Sequence, residues 1–299
     1  MFILVYIDVT TYAQQAEQSS LYMHNSLYFN PAYAGTRNTL NATVVAREQW
    51  VGLKGAPSSK YISLHSPIYN RRLGIGLHAS NDVIGSRKKN TLYVDLNTSI
   101  KVNKRNDRLN LGISTGIDNY SFGFSELYAI DSNDPIASLD VNKLAPNVGA
   151  GIYYYNDRYY AGLSVPSIIN YYNKFNDISQ NINQPHVFLT GGYVFNINTV
   201  MDLKASSMIR YTKGAPLTID LNTNLLMYKK LWLGLMYRSG EGFGVNASVV
   251  IFDDFTIGYA YDYPINELRT YQKGSHEVML QYDLNRYKNK NKIYSPRYF

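Results

Sequence analysis

The sequence predicts an all-β protein, a transmembrane antiparallel β-barrel of about 14 strands of the outer-membrane type. Apolar and polar residues alternate along most of the chain, and the links between the alternating segments are short at one end and often long at the other. Charged residues make up 17% of the 299 residues, below the ~25% that is usual in soluble proteins. No stretch approaches the ~20 apolar residues of a membrane helix, so the chain would have to cross a membrane as a closed barrel.

The alternation is clearest in TLYVDLNTSIKV, residues 91–102. Leu92, Val94 and Leu96 fall on one face of a strand, and Asp95 and Lys101 fall on the other, because successive side chains of a strand point to opposite sides. In a soluble sandwich the apolar face would line the core. In a membrane barrel it would face lipid, and the charged face would line the lumen.

Segments with this period follow one another from residue 37 to residue 285, separated by Gly, Asn, Asp and Pro. The predicted strands are 37–50, 58–68, 73–83, 89–103, 107–122, 146–156, 158–168, 186–197, 201–212, 217–228, 231–240, 242–252, 254–264 and 275–285. Many are closer in length to the ~9–11 residues of a tilted membrane strand than to the ~5–6 of an average strand.

The connections alternate in length. Those after even-numbered strands are short, such as 69–72, 104–106 and 229–230, whereas 51–57, 123–145, 169–185 and 265–274 are long. Outer-membrane barrels have short periplasmic turns and long outer loops. An even strand count then predicts that both chain ends lie on the periplasmic side.

The regions outside the barrel are predicted from composition. Residues 1–16 are typical of a secretory signal, with an apolar run from Phe2 to Ile7 but no basic segment before it; a simple N-terminal strand is the alternative. Residues 17–36 are predicted to be an N-terminal periplasmic segment, 37–285 the barrel, and 286–299 a basic tail on the periplasmic side.

Composition and spacing argue against several functions. The chain has no cysteine and a formal charge of +7, and its basic residues cluster mainly in the tail rather than on one element, so we expect no nucleic-acid binding. His65 and His78 lie on neighbouring predicted strands without a G-x-S-x-G motif or a third metal ligand. We therefore expect no enzymatic activity and no cofactor; the loop DSNDP, 131–135, leaves calcium as an alternative to an Asx-rich turn.

Charges of both signs fall on the polar face of the predicted strands, which predicts a lumen with paired charges. The candidate lumen network is Asp95, Lys101, Asp202, Lys204, Arg210, Asp220 and Asp262. Arg47 and Glu277 fall on the same face.

Several motifs resemble one family. They are LYMHNSLYFNPAYAGTRN (21–38), REQWVGLKGAPSSKYISLHSPI (47–68), LGIGLHASNDVIG (73–85), GSHEVMLQYDL (274–284) and the terminal SPRYF. In order and spacing they are similar to the PorP/SprF family of Bacteroidetes outer-membrane proteins, which is associated with type IX secretion and gliding motility. The resemblance implies a non-enzymatic barrel in the outer membrane of a Gram-negative bacterium.

The resemblance also implies partners, namely a secreted surface protein with an adhesin-type C-terminal domain, type IX secretion components, and outer-membrane lipid. The candidate partner-binding or family-motif residues are Tyr28, Asn30, Pro31, Tyr33, Gly35, Arg47, Trp50, Gly55, Pro57, Tyr171, Tyr172, Phe175, His276 and Glu277. Exposed aromatic residues in a long loop, as in NYYNKFND at 170–177, are a common recognition surface.

Two functions remain open from the sequence. The first is a barrel that binds, or helps to export and anchor, a secreted surface protein and connects to periplasmic machinery. The alternative is a porin or transporter for small or hydrophobic solutes. The state of the lumen distinguishes them, because a plugged lumen favours partner binding.

Overall fold

The computed structural model describes residues 18–37, 39–69, 71–103, 107–123, 140–175, 178–252 and 254–284. In this part of the chain, fourteen antiparallel strands close into a barrel and two more form a separate hairpin. The strands are β1 (Leu40–Glu48), β2 (Ser58–Ile68), β3 (Leu73–Ile84), β4 (Arg87–Lys101), β5 (Arg108–Gly123), β6 (Asp140–Tyr155), β7 (Tyr159–Val165), β8 (Tyr171–Phe175), β9 (Ile178–Asn183), β10 (His186–Asn196), β11 (Met201–Thr212), β12 (Thr218–Met227), β13 (Leu231–Arg238), β14 (Gly242–Ile251), β15 (Phe255–Pro264) and β16 (Ser275–Leu284).

Each barrel strand pairs with its neighbours in the sequence, except where β7 pairs with β10 and where β1 pairs with β16 to close the sheet. The closing pair holds a continuous register from Leu40↔Leu284 to Glu48↔His276. The predicted barrel is thus confirmed, with all fourteen predicted strands present.

Three details differ from the prediction. Strand β6 begins at Asp140 rather than at residue 146, within the loop predicted at 123–145. The loop predicted at 169–185 contains the hairpin β8–β9, which pairs Tyr171 with Asn183 and Phe175 with Ile178. Strand β7 ends at Val165, earlier than predicted, because Pro166 has no N–H to continue the ladder.

The outward face of the barrel is apolar. Leu92, Val94 and Leu96 of β4 are 41–49% exposed, whereas Tyr93 and Asp95 between them are 4% and 0% exposed. The apolar face of the alternating segments therefore points outwards, and the polar face points into the lumen, as expected of a barrel in lipid. No helix in the described part of the chain has the length and apolar character needed to span a membrane.

The two ends of the barrel differ in their connections. We call the end with the turns 69–72, 156–158, 197–200 and 228–230 the inner end, and the end with the loops 49–57, 166–185 and 265–274 the outer end. By the rule for outer-membrane barrels, the inner end faces the periplasm and the outer end faces the outside of the cell.

The core lies inside the barrel. Leu21 packs on Val45 and Met279, and Phe29 packs on Phe188. Residues preceding the first strand thus form the hydrophobic core together with the inner wall.

Candidate functional site

Residues 18–37, which we call the plug, run through the lumen from the outer end to the inner end. They form two 3₁₀ turns, Tyr22–His24 and Pro31–Tyr33, on either side of the single-turn helix α1 (Ser26–Phe29). Most plug side chains are buried. A polar lumen can be filled this way because plug carbonyl groups accept hydrogen bonds from wall side chains such as Asn97, Asn110 and Ser164.

The outer end of the plug is attached to Glu277 of β16. This carboxylate accepts hydrogen bonds from the Ser19 hydroxyl (2.5 Å) and from the backbone N–H groups of Ser20 (2.7 Å) and Leu21 (3.0 Å). Glu277 is itself 0% exposed. Three donors on one buried carboxylate form a strong attachment, because hydrogen bonds to a charged group are stronger than neutral ones.

Arg47 of β1 bridges the plug and two acidic residues of the wall. Its guanidinium donates to the Ser20 hydroxyl at 2.9 Å and forms ion pairs with Glu277 at 3.0 Å and Asp262 at 2.7 Å. Asp262 in turn accepts from the Ser20 hydroxyl at 2.6 Å. The register places Arg47 directly opposite Glu277 on adjacent strands.

A second arginine extends this network. Arg238 of β13 donates to the side chain of Gln18 at 3.1 Å and to the carbonyl of Ser19 at 3.3 Å. It pairs with Asp220 at 2.9 Å, and Arg210 pairs with the same carboxylate at 3.2 Å. The three arginines and three acidic residues at this end form what we call the outer latch, comprising Arg47, Arg210, Arg238, Asp220, Asp262 and Glu277.

In the middle of the lumen, the plug packs through rings. The Tyr28 ring lies edge-on to Tyr61 at 4.7 Å and to His78 at 5.5 Å between centroids. His78 stacks on Tyr93 and is bonded through Nδ1 to Asp95 at 2.8 Å. These rings hold α1 against β2, β3 and β4.

The NPAYAG segment forms the inner half of the plug. The Asn30 side chain caps the turn that follows, accepting from the Ala32 N–H at 2.9 Å, and donates to the Ile152 carbonyl at 3.1 Å. Pro31 takes the first position of that turn, where its missing N–H does no harm. Tyr33 packs edge-on to His65 and Tyr153.

Glycines in the wall leave room for this segment. A β-carbon on Gly112 of β5 would overlap with the backbone of Ala32, and one on Gly74 of β3 would overlap with the carbonyl of Ala34. Asn110 donates to the Ala32 carbonyl at 3.0 Å. The backbones of plug and wall therefore touch, which only glycine permits. At Gly35 the chain turns with φ +72°.

The inner end of the plug has its own ion pair. Arg37 donates to both carboxylate oxygens of Asp283, at 3.2 and 2.9 Å. Asn41 of β1 donates to the same carboxylate at 2.8 Å. The plug is therefore fixed by charged groups at both ends.

The plug corrects the predicted domain organisation. Residues 17–36 were expected to form a periplasmic segment, whereas residues 18–36 lie within the lumen, and Gln18 contacts Arg238 at the outer end. Gln18 can lie at the outer end because the strand count does not constrain a segment that runs back through the barrel; the N-terminus itself, predicted to be periplasmic, lies outside the described residues. The proposed signal at 1–16 and tail at 286–299 lie outside the described residues.

Three of the seven residues of the predicted lumen network lie in one cluster, and the others lie elsewhere. Arg210, Asp220 and Asp262 meet in the outer latch, whereas Asp95 pairs with His78. Asp202 accepts from Asn196 at 2.8 Å near the inner end, and Lys204 lies 5.4 Å from the centre of the Tyr160 ring. Lys101 is exposed at the end of β4 and is not in the lumen, because the strand there extends past the plug.

The other candidate residues lie in the outer loops or on the wall. Trp50 follows β1 with its N–H bonded to Ser275, and the Pro57 carbonyl accepts from the Gln49 N–H. The Gly55 carbonyl accepts from Gly85 in the neighbouring loop. His276 bonds to Tyr259 at 2.6 Å.

Of the three candidate residues in the hairpin, Tyr171 is the one whose side chain the structure describes. The Tyr171 hydroxyl donates to the Pro146 carbonyl. The side chains of Tyr172 and Phe175 lie outside the described part, so their role in recognition stays a prediction.

Sequence reasoning missed Arg238 and the serines that meet the latch. Arg238 falls on the inner face of LWLGLMYR together with Trp232 and Met236, so its alternation could have identified it. Ser19 and Ser20 carry no such signal, because they precede the first strand.

The structure offers no metal centre in its described part, where no three His, Cys, Asp or Glu side chains are grouped to hold an ion. The calcium alternative at 131–135 lies outside that part.

A cavity of about 90 Å³ lies on the outer side of the plug, between the plug and strands β3, β4, β5 and β10. Tyr28 and Phe29 of the plug are at its floor, and Arg87 and His186 lie near the outer ends of their strands. We call this space the outer cavity.

Comparison with protein families assigns the chain to one family. A model of the type IX secretion system membrane protein PorP/SprF matches residues 11–282. The chain belongs to the PorP/SprF family. That match includes the plug, the NPAYAG segment, both residues of the Arg47–Glu277 pair and the barrel strands as far as Tyr282 of β16. PorP/SprF membership and the barrel together make the protein an outer-membrane protein associated with type IX secretion.

Solved structures share the fold of this PorP/SprF protein. The chain is similar to the Ralstonia pickettii toluene transporter TbuX, with a TM-score of 0.52 and 9% identity over 87% of this chain and 94% of that chain. The CymD monoaromatic hydrocarbon channel gives a TM-score of 0.50 and 9% identity over 88% and 93% of the two chains. At this identity the likeness concerns the barrel fold alone. A search of curated proteins gives no match.

The direction in which the plug runs through the barrel can be tested by epitope labelling. An epitope inserted directly before Gln18 is expected to be accessible to antibody on intact cells, because Gln18 lies beside Glu241 in the outer loop between β13 and β14. The same epitope inserted in the inner turn after Tyr228 is the control and should be labelled only after the outer membrane is permeabilised. Labelling before Gln18 that also requires permeabilisation would contradict the direction of the plug.

Proposed function

We propose that this protein is a non-conducting barrel of the type IX secretion system that binds a secreted surface protein at its outer end and helps to export and anchor it. The observation that carries the proposal is the plug, which fills the lumen and is ion-paired at both ends, through Glu277 and Arg47 outside and Arg37 and Asp283 inside. A solute pore needs a continuous aqueous path, and a buried, charge-fixed segment opposes one.

The loops at the outer end are joined by hydrogen bonds, which favours the binding of a protein partner. The loops 49–57 and 265–274 are tied to each other, since Val51 donates to the Gly274 carbonyl at 2.9 Å and Lys273 donates to the Val51 carbonyl at 2.8 Å. The hairpin β8–β9 lies at the same end. A set of braced loops loses little freedom on binding, which favours affinity. An adhesin-type C-terminal domain, with contact to periplasmic secretion components, is the partner assignment we propose on the strength of the family.

The first experiment is affinity purification of the tagged protein from gently solubilised native envelopes, with mass spectrometry of the proteins that accompany it. We expect a large secreted surface protein or type IX components, and no steady conductance of the purified barrel in planar bilayers. A barrel recovered alone that conducts ions would support the alternative, a porin or transporter of small or hydrophobic solutes, for which the outer cavity would be the entrance.

A loop variant sharpens this test. Replacing Tyr171, Tyr172 and Phe175 by serine is expected to reduce recovery of the secreted protein, because aromatic residues dominate the affinity of recognition loops. The matched control replaces three exposed aromatic residues of the inner turns by serine: Tyr69, Tyr228 and Phe252, which are 71%, 70% and 91% exposed. Equal recovery from both triple variants would exclude the hairpin from the interface.

A further inference from the structure

Charged side chains are rare on the outward face of the barrel strands. Among the outward-facing side chains that the structure describes on these strands, the acidic and basic ones are Glu48 of β1, Lys60 of β2 and Lys88 of β4. All three lie near the outer end. Because a charge is costly in hydrocarbon, such residues occur where the wall reaches the lipid headgroups. The two lysines therefore mark one sector of the wall, from β2 to β4, at the level of the outer leaflet.

The register places two asparagines between these lysines. Lys60 faces Asn81 of β3, and Asn81 faces Asn90 of β4. Lys88 is the next outward residue after Asn90 towards the outer end. With strands about 4.8 Å apart and a rise of about 3.4 Å per residue, the α-carbons of the two lysines are about 12 Å apart. We call Lys60, Asn81, Lys88 and Asn90 the lysine patch.

The polar groups of the lysine patch keep hydrogen-bonding capacity for a ligand. The Asn81 amide donates to the side-chain carbonyl of Asn90 at 2.7 Å, which leaves an acceptor oxygen on Asn81 and donor hydrogens on Asn90. Neither lysine is ion-paired among the described residues. Glu48, one strand away from Lys60 on β1, accepts from the Ser58 hydroxyl at 2.7 Å. This sector of the outward face thus carries two ammonium groups against one carboxylate.

An apolar surface begins directly below the lysine patch. Towards the inner end, the next outward residues are Ile62 on β2 and Leu92 on β4, and both are exposed. The patch therefore lies where the hydrocarbon of the outer leaflet ends and its headgroups begin. The outer ends of β13 and β14 carry exposed aromatic rings instead, Tyr237 and Phe243. The wall meets the headgroups with rings on one side and with ammonium and amide groups on the other.

We propose that the lysine patch binds the headgroup of an outer-leaflet glycolipid of the lipid A type, which is an acylated disaccharide that carries phosphate groups. Lys60 and Lys88 pair with the phosphates. The asparagine amides bond to sugar hydroxyls, since both kinds of group donate and accept. The acyl chains lie along Ile62 and Leu92.

The position of the patch selects this occupant. The patch faces sideways from the wall at the level of the headgroups, rather than out of the cell towards a secreted protein. Basic residues at that level attract anionic headgroups. The inference concerns the lipid around the barrel and holds whether or not the barrel binds a secreted protein.

The test uses the full-length barrel in detergent, with bisphosphorylated lipid A as the probe and native mass spectrometry to count the bound lipids. We expect saturable binding of lipid A, and binding about tenfold or more weaker for the same lipid after removal of its phosphates. Equal binding of the two lipids would refute the proposal. Competition by inorganic phosphate at equal concentration would refute it in favour of a free-anion site, and equally tight binding of phosphatidylglycerol in favour of a general anionic-lipid surface.

Paired variants locate the binding. Lys60→Gln combined with Lys88→Gln is expected to weaken lipid A binding about tenfold. The matched control, Lys54→Gln combined with Lys213→Gln, removes the same charge from exposed lysines of two outer loops and should bind like the parent protein. Without lipid A, both double variants should unfold at the parental temperature. An unchanged affinity in the patch variant, or an equal loss in both variants, would exclude the lysine patch as the site.

Discussion

Replacing Arg47 by methionine is expected to release the outer end of the plug and to destabilise the barrel by about 3–5 kcal/mol. Arg47 is 2% exposed and neutralises Glu277 and Asp262 at once. Without it, the buried Glu277 carboxylate loses its ion pair, Asp262 keeps the longer pair with Arg238 at 3.8 Å, and the Ser20 hydroxyl loses its charged donor. Removing one partner of a buried ion pair costs more than the pair contributed, because the remaining charge is left without compensation.

Two measurements test this expectation. Thermal unfolding followed by heat-dependent gel mobility should move to lower temperature, and planar-bilayer recordings should show openings that the parent protein lacks. Lys60→Met is the control, because Lys60 pairs in register with Ala46 beside Arg47 but is exposed on the outer face. An Arg47→Met barrel with parental stability and no openings would mean that the outer latch does not hold the plug.

Gly112→Ala is expected to displace the inner half of the plug, even though it adds a single methyl group. The new carbon would overlap with the backbone of Ala32, which cannot rotate away. The Asn110 and Asn97 side chains bonded to the Ala32 carbonyl, at 3.0 and 3.1 Å, would lose their acceptor if the segment moved. Overpacking of this kind costs about 1–3 kcal/mol.

The matched control is Gly191→Ala on β10, where an added carbon would meet only the Tyr160 carbonyl at 3.7 Å. The control should unfold like the parent protein, whereas Gly112→Ala should unfold at lower temperature. Protease digestion of detergent-solubilised protein should also cut Gly112→Ala within the plug. A Gly112→Ala barrel as stable and as resistant as Gly191→Ala would contradict the tight backbone contact between plug and wall.

The strands were predictable because each barrel strand separates lipid from lumen. That separation imposes a period of two on every strand, and the pattern needs no knowledge of neighbouring strands. The errors of prediction occur where the chain no longer separates lipid from lumen. Lys101 alternates in step with the lumen-facing residues of β4, but it lies at the exposed end of that strand. The hairpin β8–β9 is not part of the barrel sheet.

The wall of the candidate site was predictable from alternation, whereas plug residues such as Tyr28, Asn30 and Tyr33 were identified only through the family resemblance. Arg47, Asp262 and Glu277 could be assigned to the lumen from alternation, but not to one another, since 230 residues separate Arg47 from Glu277. Alternation assigns a face and leaves the register open. Closure of β1 on β16 is what brings these charges within hydrogen-bonding distance.

The sequence by itself determined that the protein is a barrel in the outer membrane, because period-two alternation, low charge and unequal connections each follow from lipid on one side and a polar lumen on the other. Only the tertiary structure decided that the lumen is filled and in which direction the plug runs. Residues 18–37 have no period to reveal their place; it is set by contacts with strands distant in the chain, from Gly112 at the inner half to Arg238 at the outer end.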